Sequence, residues 1–218
     1  MILYKPTDKE VIDKPIKLRP RTAFVMTKLG TGRSHLIDEI YNKTIEVLKG
    51  KNYNVLDATS ITIVRDYLQK IVDIIIGVPL GIVILDKELP PSTLANCFYE
   101  MGWLDALGKE TVIIKAPGSI IPSDLTRTEY IEYNDDFEDK FSGFMDSILE
   151  VADYYSEVGS LIERNPLLSI DYYRRAYLIK GDDDFKELVS KVVKEDMTAE
   201  RAKNSVENLL SYFANNKK

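Results

Sequence analysis

The chain has 218 residues, 44% of them hydrophobic, with 29 Lys and Arg against 35 Asp and Glu and a net charge of −6. That composition can bury an ordinary core in one or two domains, and it lacks the broad positive field on which nonspecific binding to duplex nucleic acid relies. Cys97, the one cysteine, permits no intrachain disulfide and no zinc site of its own, and no apolar run reaches the roughly 18 residues of a membrane span, so a cytoplasmic protein with no membrane partner is expected.

The opening MILYKPTDKE has no basic start followed by an apolar core, so it does not read as a secretion signal. Beyond it, short β-rich runs alternate with helical spacing. Residues 22–27 (TAFVMT), 53–57 (YNVLD), 81–85 (GIVIL), 111–115 (TVIIK) and 129–133 (EYIEY) predict five strands. Apolar residues at helical spacing fill the gaps at about 34–48, 63–76, 93–107 and 135–155. Near-continuous apolar strands alternating with helices predict a doubly wound, mostly parallel five-stranded α/β sheet over residues 20–157. From 158 to 218 the pattern is helical only. Pro166 opens one helix that Gly181 closes, Asp182–Asp184 begin a second, and a third follows Thr198 with Ala202, Val206, Leu209 and Phe213. This tail is expected to pack on the α/β domain, to form a homo-oligomer interface or to bind a protein partner. Tyr154, Tyr155, Tyr172, Tyr173 and Tyr177 suit either an interface or a core.

Open parallel sheets bind ligands at the carboxyl ends of their strands, which makes those ends candidate pocket walls. After the first strand comes KLGTGRSH, in which Gly30, Gly32 and Arg33 could meet a phosphate; the same stretch also reads as a turn with Ser34 capping a helix. It is not a P-loop, because no Gly-Lys-Ser/Thr follows. The second strand ends at Asp57 and the third at Asp86, and each aspartate can either face a ligand or form a turn. The acidic run at residues 134–139 (NDDFED) reads as a helix start that complements the dipole, not as a metal site.

The helix at 93–107 raises a sharper question. Leu94, Phe98, Met101 and Leu104 follow the spacing of one buried face, while Asn96, Glu100 and Trp103 share a second face that either lines a pocket or meets water. The stretch IVILDKELPPSTLANCFYEMGWLDALGKETVIIK carries Asp86 at a strand end, then Asn96, Tyr99, Glu100 and Gly102 on the helix, then Gly108-Lys109 before the next strand. In this order and context it resembles the nucleoside 2-deoxyribosyltransferase-like and TIR-like nucleotide-processing domains, over about residues 20–133. The resemblance implies an N-glycosidase or glycosyl transferase acting on NAD or a related nucleotide or nucleoside, with Glu100 as nucleophile or charge stabiliser. It implies a substrate-binding set of Gly30, Gly32, Arg33, Asp57, Asp86, Asn96, Tyr99 and Trp103, with the nucleotide as substrate and no resident cofactor or metal. The other reading is a catalytically silent nucleotide sensor or TIR-like interaction module. His35, the one histidine, reads as an exposed first-turn residue, and Cys97 as buried and inert.

Overall fold

The computed structural model describes residues 11, 16–30, 32–60, 67–125 and 130–195, and these fall into two compact units, the described residues within 22–147 and those before 22 together with 148–195. The third tail helix expected after Thr198 lies outside the described residues.

The first unit is built on a five-stranded, all-parallel sheet: β1 (Thr22–Met26), β2 (Asn54–Leu56), β3 (Leu80–Leu85), β4 (Glu110–Lys115) and β5 (Tyr130–Glu132). Its strand order is β2-β1-β3-β4-β5. Every residue of β1 and β3 is buried, because each strand is covered on both faces and has no solvent side to keep polar. The edge strands β2 and β5 have three residues each and are partly exposed, which limits the unpaired backbone they offer to other chains.

Around the sheet lie α1 (His35–Gly50), α2 (Tyr67–Gly77), α3 (Pro91–Ala106) and the first turns of α4 (Phe137–Leu161). Right-handed crossovers in this order put α1 on one face and α2 and α3 on the other, with the reversal between β1 and β3. Accordingly α3 packs on β3, β4 and α2, while Lys43 of α1 and Lys51 at its C-cap reach Glu138 and Asp146 of α4, each at 2.6 Å. Ile71, Ile74 and Ile75 of α2 and Met101 and Leu104 of α3 fill the core against Phe24 and Val83. Gly81 makes that approach possible: a Cβ there would lie 2.2 Å from Leu104 Cδ1.

α3 begins at Pro91, earlier than the expected 93. Proline at the first helical position gives up no intrahelical bond and already has the required φ, so the Pro90-Pro91 pair starts the helix instead of belonging to the loop.

In the other unit, α5 (Pro166–Lys180) is capped by Asn165, whose side chain accepts from the Leu168 N–H at 3.4 Å, and ends at Gly181 with φ 74°. α6 (Asp184–Glu195) follows. Leu18, Ile170, Tyr173, Tyr177, Phe185 and Val189 share one core, and the Arg21 N–H donates to the Leu178 carbonyl at 2.8 Å. Tyr173 and Tyr177 are therefore core aromatics. Tyr154 is exposed, and Tyr155 and Tyr172 are half-buried beneath the Arg175 guanidinium. Among the described residues no helix is long and apolar enough to cross a membrane, and no group of three or more potential ligands is placed to hold a metal ion.

Candidate functional site

A cavity of about 190 Å³ opens where β1 gives way to its loop. Residues 24–27 of β1 and its end form one wall with Leu29, Ala58 after β2 forms another, and Thr93, Asn96, Cys97 and Glu100 of α3 complete it. This is the β1/β3 reversal, where loops from neighbouring strands run to opposite faces and leave a crevice between them. The backbone near Ala58 is pinned from α2, because the buried Lys70 ammonium donates to the Ala58 carbonyl.

Among the described residues, Glu100 is the single charged one in this lining. It reaches the cavity because Met101 and Leu104 hold α3 in the core, which turns the row one turn apart at Asn96 and Glu100, with buried Cys97 beside it, toward the crevice. Burial pushes the Glu100 carboxyl up to about 7, with no cation or hydrogen bond among the described residues acting against it. Near neutral pH the group is thus divided between acid and carboxylate, the range in which it can act either as a proton carrier or as an anion. Cys97 is 3% exposed, and burial followed by the charge of Glu100 pushes its thiol up to about 12, which keeps it an un-ionised packing residue.

The remaining predicted residues lie outside the lining, and each has a defined place. Asp86, at the end of β3, is buried; it accepts from the Ser34 hydroxyl at 2.7 Å and from the Glu88 N–H at 3.2 Å. Ser34 in turn caps α1 by accepting from the Ile37 N–H at 3.1 Å, so Asp86 ties the glycine-rich loop to the neighbouring strand. Gly30 and Gly32 have φ of 76° and 91°, a left-handed backbone that suits glycine, and the Lys28 ammonium donates to the Gly32 carbonyl at 2.5 Å. Arg33 turns toward α1, 2.8 Å from Asp38 and 4.8 Å over the Tyr41 ring.

Asp57 accepts from the Thr59 N–H and hydroxyl at 2.8 and 2.6 Å, from Ser60 at 2.9 Å and from Tyr41 at 3.2 Å. Burial disfavours its charge, yet these hydrogen bonds outweigh burial and hold the carboxyl below its ordinary value. Tyr99 is 52% exposed and sits 6.0 Å from the Trp103 ring, which is half-buried against the core. His35 is exposed at the start of α1.

No protein-family profile matches the chain, and neither does any curated protein. Among solved structures, that of the Clostridium botulinum CMP N-glycosidase BcmB aligns with 57% of this chain and 98% of its own, at 21% identity and a TM-score of 0.37. A likeness at that level establishes neither family nor activity.

The cavity also draws on residues that the sequence reading passed over: Phe24, Val25, Met26, Thr27, Leu29, Ala58 and Thr93. Most are apolar strand or loop residues indistinguishable in sequence from core. Thr27 alone carried a signal, as a hydroxyl at the carboxyl end of a buried strand.

Proposed function

We propose that this cleft binds a nucleoside or nucleotide and cleaves its N-glycosidic bond, with Glu100 as the carboxylate beside the anomeric carbon. The observation that carries the reading is Glu100 itself: a desolvated, uncompensated carboxyl facing the crevice at the β1/β3 reversal. As the C1′–N bond breaks, its electron pair leaves with the base and positive charge builds on the sugar. An anion fixed beside that carbon stabilises the charge or attacks it, and water then completes hydrolysis. The order of Asp86, Asn96, Tyr99, Glu100 and Gly102 supports the same reading through its resemblance to the deoxyribosyltransferase-like and TIR-like domains.

The leaving group favours NAD or another nicotinamide riboside. Nicotinamide departs neutral from a bond that begins with a cationic ring nitrogen and needs no proton donor, whereas an ordinary base usually does. Asp57, the strand-end acid next in sequence to the lining residue Ala58, is held in its charged form by four hydrogen bonds and is poorly suited to donate a proton. Incubation with NAD, nucleosides, deoxynucleosides and CMP, with chromatography for free base, tests the proposal. Release of nicotinamide ahead of the others supports it, and faster release of adenine or a pyrimidine reverses the ranking.

A further inference from the structure

The cleft contains a second polar group that the protein leaves unanswered. Thr27 is 6% exposed and lines the cavity, and its buried Oγ1 has no hydrogen-bond partner among the described residues. A buried hydroxyl in that condition destabilises the empty protein, and such groups are rare unless a ligand or water completes them. Thr27 directly follows β1, which is buried along its whole length and whose last residues, Val25 and Met26, pair with Ile82 and Val83 of β3.

The charge of the cavity narrows what can complete it. Among the described residues that line it, Glu100 is the one charged residue and none is basic, and Phe24, Val25, Met26 and Leu29 are apolar. A phosphate placed here would meet a carboxylate and no counter-charge, which low dielectric makes strongly unfavourable. A group bearing hydroxyls and no negative charge answers Thr27 and leaves Glu100 free to act on it. A flat ring suits the apolar wall. Resting on the glycosidase reading for the class of ligand, we infer that Thr27 hydrogen-bonds a sugar hydroxyl of a nucleoside moiety that enters the cavity uncharged or cationic, with any phosphate held outside.

The test uses the full chain carrying Glu100→Gln, so that bound ligand persists. Isothermal titration is run with uridine and nicotinamide riboside, and with the free bases uracil and nicotinamide, before and after Thr27→Val. Valine keeps the shape and removes the hydroxyl. The expected result is about tenfold weaker binding of both nucleosides with unchanged binding of the bases, the loss of about one hydrogen bond. Thr27→Ser should bind the nucleosides within about twofold of the parent. The unliganded Thr27→Val protein should melt at the same or a higher temperature than its parent, since it loses only an unanswered hydroxyl. Unchanged nucleoside affinity, equal weakening of nucleosides and bases, no binding of either nucleoside, or a lowered melting temperature with Thr27→Val would each overturn the inference. Thr27-dependent nucleoside binding, together with no base release by the protein that retains Glu100, would leave this inference standing and remove the glycosidase reading. Base release unaffected by Thr27→Val would do the reverse.

Discussion

Replacing Glu100 by glutamine should make the α/β unit more stable, and increasingly so as the pH rises. The Glu100 carboxyl moves from 4.5 in the unfolded chain to about 7 in the fold because burial resists its charge. A carboxyl raised in this way favours the folded state fully at pH below its unfolded value. Stability then falls as pH rises, because the unfolded chain ionises first, and the loss is complete above about 7. At about 1.4 kcal/mol per tenfold the whole interval is worth about 3 kcal/mol, of which about 2 kcal/mol falls between about pH 5.5 and about pH 8.5. Glutamine keeps the shape without the ionisation, so the variant lacks this component while all other titrations cancel in the comparison. Trp103 is the only tryptophan and packs on the same core as α3, so its fluorescence during urea unfolding reports on this unit. The stability of Glu100→Gln minus that of wild type should grow by about 2 kcal/mol from about pH 5.5 to about pH 8.5. A difference that stays constant with pH would refute the desolvation argument, and a variant less stable throughout would point to a hydrogen bond or ion pair that Glu100 makes for the fold.

Three further outcomes follow from the same geometry. If the ionised form of Glu100 acts, kcat/KM for nicotinamide riboside should rise with pH through about 7 in the free enzyme and then level off; a profile that falls through that region would assign Glu100 to proton donation instead. Gly81→Ala would drive a methyl group against Leu104, which is 0% exposed one turn beyond Glu100, and should cost about 1–3 kcal/mol in unfolding experiments and reduce turnover by shifting α3. Ser34→Ala removes both the α1 cap and the donor to Asp86, and should cost about 1–2 kcal/mol by thermal or urea unfolding; an unchanged midpoint would show that the loop does not depend on this link.

The sheet was legible because its central strands carry an uninterrupted apolar code. TAFVM and LGIVIL have no polar alternation, and only burial on both faces leaves a strand with none. Helix ends were harder to read. Pro90-Pro91 looked like loop, and the long helix was expected to end at about residue 155, yet α4 continues through Gly159 to Leu161. Gly159 stays within that helix because the Tyr173 ring lies against it, where a Cβ would come within 2.8 Å, a contact between residues distant in sequence that local pattern cannot register.

The site divides in the same way. A charged residue within an apolar helical run is visible as an anomaly, and Asn96 is tied to it by helical period, so both can be placed on one face before any fold is known. The strand-end rule pointed to the end of the sheet at which the cavity opens, but it weighted the aspartates and glycines. Asp86 and Asp57 spend their oxygens on Ser34 and on Thr59, Ser60 and Tyr41. The walls come instead from Phe24, Val25 and Met26, whose side chains read as core in any one-dimensional pattern and line a cavity only because the loops part at the β1/β3 reversal.

The central claim is that Glu100 works on a sugar–base bond, and single-turnover base release measures it most directly. Wild type and Glu100→Gln, each in excess over nicotinamide riboside or NAD, are quenched over time and assayed for free nicotinamide. The account predicts release by wild type and a loss of at least about a thousandfold in the variant, with the variant folded and at least as stable as its parent. Release by Glu100→Gln within about tenfold of wild type would contradict it.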